Sequence, residues 1–285
     1  MKRLEMRTLL LSLALTLSAC VAARAQAGAG GLERRDFDPL VGPVHTTRDE
    51  VAKYVRQDGA LVEGPRRLVA STSYSEDGKR RDCEIYAEDG TVRQRSVSVY
   101  DDAGRFVEQL IYTGRDNLLA RVVSRPDAGE VLSYDGEGNL RERVVTESRS
   151  DGVTETRTYD GGGALLRRAV VERGGGRVVK KTYDANGTLR GEKATSRVQG
   201  GARVEDQRYD AGGARGGRMV STGGGSGEKE SVIERPDGTQ SSKSRETREL
   251  DSRGNVVKQV TYVWDAAAGD FAPSTVSYTT ITYYR

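Results

Sequence analysis

Apolar residues in this chain come in short runs. Turn-forming clusters interrupt them every 8 to 13 residues, and no window sustains an apolar stripe at helical spacing. The pattern predicts β-strands throughout and no helix beyond the N-terminal leader. Around Tyr159, Asp160 to Gly163 reads as a turn. Ala164-Leu165-Leu166 then opens a strand through Val170-Val171, Gly174-Gly175-Gly176 forms a second turn, and Val178 to Tyr183 returns. Connections this short join only antiparallel neighbours. The final run, Val276 to Tyr284, is rich in β-branched and aromatic residues and is the strongest strand signal in the chain.

The unit recurs. Five stretches begin Tyr-Asp and carry Gly three residues after the Asp: Tyr100-Asp101 with Gly104, Tyr134-Asp135 with Gly138, Tyr159-Asp160 with Gly163, Tyr183-Asp184 with Gly187, and Tyr209-Asp210 with Gly213. The last four Tyr residues are 25, 24 and 26 positions apart. A fixed period of this size marks a tandem array. Looser copies extend it at Asp58-Gly59, Asp77-Gly78, Asp89-Gly90, Asp127 to Gly129, Asp237-Gly238 and Asp251 to Gly254. The expected fold is all-β: tandem antiparallel hairpins in an extended twisted or curled sheet over residues 42–285, with a capping hairpin at 256–284.

The frame Tyr-Asp-x-x-Gly-x-Leu, fullest at Tyr134 to Leu140, Tyr159 to Leu165 and Tyr183 to Leu189, resembles the YD repeat of RHS-type proteins, and in length and leader the chain is similar to small secreted or lipidated bacterial members. The resemblance implies a long antiparallel sheet of stacked hairpins. In large polymorphic-toxin members that sheet spirals into a shell around a C-terminal toxin. This chain reads as too short for such a shell. Its only Asp-Pro, Asp38-Pro39, lies at the wrong end for the family's C-terminal cleavage motif, and no toxin segment follows the repeats, so the toxin function is not expected here.

Lys2, Arg3 and Arg7 precede an apolar stretch, Leu9 to Leu17, that is too short to span a bilayer and fits a signal peptide over residues 1–19. Leu17-Ser18-Ala19-Cys20 resembles a lipobox, with Cys20 as the lipidated residue; Ala23-Arg24-Ala25 offers a rival cleavage site that would extend the peptide to 25. Residues 20–41 read as a flexible tether. The expected location is the bacterial envelope, with membrane attachment through Cys20, or the periplasm or exterior if cleavage follows Ala25. With Cys20 lipidated or removed, Cys83 is left without a disulfide partner.

The formal charge of +3 falls to nearly neutral without the leader, and signs are mixed along every strand. Doublets such as Arg167-Arg168 and Lys180-Lys181 suggest nucleic acid at first sight. Adjacent strand residues face opposite sides, however, so no phosphate track is expected. Charges this dense require at least one sheet face to meet water.

Candidate chemistry is sparse. His45 is the one histidine and has no ligand-spaced partner, so neither a metal site nor a Cys83–His45 dyad is expected. Asp135 to Asn139 alternates oxygen ligands, but Leu140 stands where a calcium loop needs Gly. The recurring Asp residues are explained by turn chemistry, and no catalytic residue or cofactor is expected. The recurring Tyr residues suit cross-strand packing, with stacking on sugars as the functional reading. The expected function is non-enzymatic: a β surface for carbohydrate or an envelope protein, a partner class implied by the resemblance. The alternatives are an envelope hydrolase using a carboxylate pair, marked by a cleft gathering Asp or Glu away from the turns, and a passive spacer or immunity-like partner.

Overall fold

The structure is a computed structural model and describes residues 40–149, 151–198, 203–223 and 227–285. The signal peptide, Cys20 and nearly all of the proposed tether lie outside these residues. In chain order the strands are β1 Val44–Gln57, β2 Ala60–Glu63, β3 Arg67–Tyr74, β4 Arg80–Tyr86, β5 Val92–Tyr100, β6 Phe106–Thr113, β7 Asn117–Arg125, β8 Glu130–Asp135, β9 Leu140–Ser148 and β10 Val153–Asp160. They continue with β11 Leu165–Gly174, β12 Arg177–Asp184, β13 Leu189–Val198, β14 Arg203–Tyr209, β15 Arg215–Gly223, β16 Lys229–Glu234, β17 Gln240–Leu250, β18 Val256–Asp265 and β19 Asp270–Tyr283. Among the described residues the only helical piece is a 3-10 turn at Pro126–Ala128.

From β3 onward each strand pairs antiparallel with the next, as the hairpin reading requires. The sheet is nevertheless not extended. β1 pairs with β19 from Thr46↔Thr282 to Lys53↔Thr275, and its other edge pairs with β3 from Thr46↔Ser73 to Val51↔Arg67. The ring is therefore closed, an 18-stranded antiparallel barrel in which only the four-residue β2 is not a full stave. β2 pairs with the far end of β1 around a tight Asp58-Gly59 turn. One expectation is corrected here: the array does not form an extended twisted or curled sheet but closes on itself. β19 is paired along both edges. The physical reason is that an open sheet leaves two rows of unpaired N–H and C=O groups, and pairing first strand with last removes both.

Further bonds lock the seam. Asn255 Nδ2 donates to Val41 O (3.0 Å) and to the Tyr283 hydroxyl (2.7 Å), and the Tyr284 N–H donates to Pro43 O (2.8 Å).

The repeated turn has one geometry. At Asp160 the N–H donates to Ala164 O (2.9 Å), the Gly163 N–H donates to Asp160 O (3.1 Å), and Asp160 Oδ1 accepts from the N–H of Gly162 (2.9 Å) and Ala164 (2.8 Å). Gly163 has φ +88, which a Cβ would strain. This is a type I turn closed by a bulge at the Gly. The same backbone bonds recur at Asp101, Asp135, Asp184, Asp210 and Asp251. Three of the looser copies carry the Asp at the third position of a related turn, the one at Asp77 being a residue longer, with the Ser75 N–H donating to Arg80 O. Asp77, Asp89 and Asp237 accept from the N–H of Lys79, Thr91 and Thr239, while Gly78, Gly90 and Gly238 keep the fourth place.

These turns carry a pH dependence. Asp251 is held down to about 2, first by the Tyr283 hydroxyl and then by the Asn255 and Arg253 N–H groups. Asp101 and Asp184 are lowered first by the backbone N–H of Arg105 and Thr188, and Asp77, Asp89 and Asp237 by the hydroxyls of Ser75, Thr91 and Thr239. A carboxylate lowered on folding contributes stability above its unfolded pKa and loses it as pH falls through the folded value. The thermal midpoint is therefore expected to stay level down to about pH 5 and then fall between about pH 4 and 2. A melting temperature unchanged at pH 2 would show that the turn carboxylates do not matter.

Strand parity separates the five Tyr-Asp frames. Tyr134, Tyr159, Tyr183 and Tyr209 end β8, β10, β12 and β14, so their turns share one end of the barrel; Tyr100 ends β5, whose turn lies at the other. Identical hairpins at opposite ends of a meander are related by an in-plane two-fold axis, which exchanges the faces. Accordingly Tyr100 is buried against Phe106, Ile111 and Val122 on one face. The other four stand on the opposite face, across from Arg121, Arg143, Arg168 and Glu192.

That opposite face is a lattice of ion pairs, among them Glu130 with Arg125 (3.0 Å), Glu155 with Arg157 (2.8 Å), Glu205 with Arg218 (3.0 Å) and Glu249 with Lys258 (2.7 Å). The other face carries rows of small residues, such as Thr47–Thr72–Cys83–Ser96 in register, interrupted by Lys180, Lys193 and Arg208. A bilayer-spanning barrel needs one continuous apolar face about 25 Å tall. Among the described residues mid-strand charges stand on both faces, so neither face is continuously apolar.

Candidate functional site

The seam assembles the largest aromatic group. Ala52 on β1, Val260 on β18 and Val276 on β19 are buried together, and Tyr54, Tyr262 and Tyr278 from the same strands pack over them. Alternation and register place these side chains on the ion-paired face. Towards the β18–β19 turn, Trp264 faces Phe271 across the pair with ring centroids 5.3 Å apart. Cations lie over the rings: Arg66 at 3.5 Å from the Tyr278 centroid, Arg245 at 4.2 Å from Phe271, and Lys243 at 5.0 Å from Trp264. Tyr278 donates to Glu63 Oε2 (2.6 Å), and this bond raises the phenol's pKa and lowers the carboxyl's. The result is five aromatic side chains on three adjacent staves, fringed by guanidinium, ammonium and carboxylate groups. The meeting of β1 with β19 adds Ala52, Tyr54, Glu63 and Arg66 to the aromatic residues of the β18–β19 hairpin.

The recurring tyrosines do not add to this patch. They stand on other strands of the same face, with Arg143 over Tyr159 (5.6 Å) and Arg168 over Tyr183 (4.5 Å).

A concavity of about 480 Å³ opens over β1, β3, β4 and β5, where Thr46, Ser71 and Ser73 leave a low floor. It brings together two carboxylates away from the turns, Asp82 and Glu84. All four of their oxygens already have partners. Asp82 takes Arg95 in a two-pronged pair (2.9 and 2.5 Å), and Glu84 takes the Tyr86 hydroxyl (2.8 Å) and Arg115 (3.3 Å). A glycosidase needs one carboxyl on the leaving oxygen and one on the attacking group; here Asp82 is ion-paired and Glu84 is shared between Arg115 and the Tyr86 hydroxyl.

His45 and Cys83 lie on β1 and β4, with β3 between them; His45 packs on Tyr284 (4.6 Å between centroids), and Cys83 stands between Thr72 and Ser96. Asp135 bonds the Glu137 and Asn139 N–H groups and pairs with Arg141 (2.7 Å), which is turn chemistry. Among the described residues no cluster of three His, Cys, Asp or Glu side chains is arranged for a metal, and no helix is long and apolar enough to cross a membrane.

Sequence reading missed the seam patch because Ala52 and Tyr54 lie more than 200 positions from its other members. The one available signal was the concentration of aromatic residues in the last two strands.

No protein-family model and no curated protein matches the chain. Among solved structures it is similar to a porin-like protein from Bacteroides uniformis, 10% identical over 85% of this chain and 99% of that one, with a TM-score of 0.43. It is also similar to a protein of unknown function from Bacteroides fragilis, 12% identical over 49% of this chain and 91% of that one, TM-score 0.27. A Photorhabdus luminescens Tc holotoxin pore aligns at 16% identity over 79% of this chain and 16% of that one, TM-score 0.13. The closure of the barrel rests on this chain's own strand pairing.

Proposed function

We propose that the protein is a non-enzymatic binding barrel of the bacterial envelope, held at a membrane through Cys20, that takes a saccharide on the seam patch. The observation that carries this reading is the gathering of Tyr54, Tyr262, Tyr278, Trp264 and Phe271 on one solvent-facing stretch of sheet. Aromatic faces stack on the C–H faces of sugar rings, and the flanking Arg66, Lys243 and Glu63 supply donors and acceptors for hydroxyls. A wall charged on both faces fits a soluble barrel on a tether, and the YD-like turns support kinship with exported repeat proteins.

Trp264 is the single tryptophan of the chain, so its fluorescence reports on the patch directly. Titration with a neutral hexose tetramer is expected to shift its emission saturably. Phe271→Ala and Tyr278→Ala should each weaken binding by about tenfold, or about 1.4 kcal/mol. Emission unmoved by any oligosaccharide, with an envelope protein captured instead, would replace the saccharide by a protein partner, for which Tyr, Trp and Arg are equally suited. Cys20→Ala should release the protein from membranes; a wild type already soluble would remove the anchor from this reading.

A further inference from the structure

On the opposite face, β12, β13 and β14 set Lys180, Lys193 and Arg208 side by side in direct cross-strand register. Like charges placed opposite one another destabilise a sheet; the chain has other such pairs, Glu147↔Glu155, Glu142↔Asp160 and Arg157↔Arg168, but among the described residues only here do three cations stand in one row. Here only Lys193 has an ion-pair partner among the described residues, Asp206 at 3.1 Å. Glu192, the nearest other acid along the strand, faces Lys181 on the far side of the sheet. Two residues along from Lys180 and Lys193, Thr182 pairs with Gly191, and the missing side chain leaves a depression of about 220 Å³ bordered by the three cations and, from the strand backbone, by Glu192 and Tyr209, whose side chains alternate to the other face. Gly191 is not there for its backbone: a Cβ would meet only the Tyr209 carbonyl oxygen, at 3.3 Å. The vacancy is space beside the charges.

We propose that this depression is a subsite for a phosphate group, either free phosphate or a phosphate monoester. Three cations against one carboxylate leave two positive charges, which match the nearly doubly charged phosphate at neutral pH better than a single carboxylate. The Arg208 fork and the two ammonium groups supply donors along one side of the depression, and the Thr182 hydroxyl adds another. Filling the site also cancels the repulsion within the row, so anion binding and sheet stability are linked.

The test is calorimetric titration of the purified protein with inorganic phosphate, mannose 6-phosphate and acetate at equal ionic strength. Phosphate is expected to bind at least tenfold more tightly than acetate. Lys180→Gln and Arg208→Gln should each weaken it by at least tenfold while leaving the phosphate-free melting temperature unchanged or raised. Gly191→Leu, which keeps every charge, should abolish binding by filling the space. The order of phosphate and mannose 6-phosphate names the source of the group, and either order sustains the site. Phosphate no tighter than acetate, or Lys180→Gln and Arg208→Gln variants that bind like wild type, would overturn it. Trp264 emission lies on the other face and should not respond to these substitutions, so the two sites fail or stand separately.

Discussion

Val276→Asp is expected to cost about 3–5 kcal/mol and to open the barrel along its seam. Val276 is fully buried, and Ala52, which faces it across β1–β19, is 1% exposed under the tyrosine layer. A carboxylate there would have no partner in the apolar cluster and would have to drag the two strands apart to reach water. Rupture at this line frees two 14-residue strands at once, each with an unpaired edge. Urea unfolding should show the loss, hydrogen exchange should accelerate first in β1 and β19, and gel filtration should show edge-to-edge oligomers. Val276→Ala, costing about 1–2 kcal/mol, should keep the barrel closed. If the Asp variant melts like wild type and remains monomeric, the seam is not what holds the fold.

Gly161→Ala is the second large effect, about 2–3 kcal/mol. Its position in the turn is held by Ala185 and Ala211 in later repeats, so the turn itself accepts a methyl group. The neighbour does not: a Cβ on Gly161 would lie 2.0 Å from the carbonyl oxygen of Leu140, on the adjoining stave. Gly187 is the reverse case. Its φ of +81 strains any side chain, yet nothing lies within 4 Å of an added Cβ, so Gly187→Ala should cost only about 1 kcal/mol. Urea midpoints should therefore rank Gly161→Ala as the more damaging. The opposite order would mean that backbone strain, not contact between adjacent turns, governs these glycines.

The two glycines show where sequence reading stops. Gly187 is legible from its place in the frame, because a type I turn with a bulge demands positive φ there. Gly161 looks like one more turn former, and its real constraint comes from a strand more than twenty positions earlier. The five Tyr-Asp frames divide in the same way. Their 24–26-residue spacing was readable as a two-strand period, whereas three strands, β6, β7 and β8, separate Tyr100 from Tyr134. Only the pairing shows that this places Tyr100 on the opposite face, buried, while Tyr159 and Tyr183 sit under arginines.

The sequence by itself determined the antiparallel hairpins, the Asp and Gly at their bends, the absence of long helices among the described residues and the alternation that splits each basic doublet across the sheet. All of these depend on neighbours a few residues apart, whose geometry is set by φ, ψ and local hydrogen bonds. The tertiary structure decided closure, which brings Tyr54 to the seam patch, and the register that lines up the cation row. Whether β19 finds β1 depends on twist and register accumulated over every intervening strand, a sum that no local pattern in the chain records.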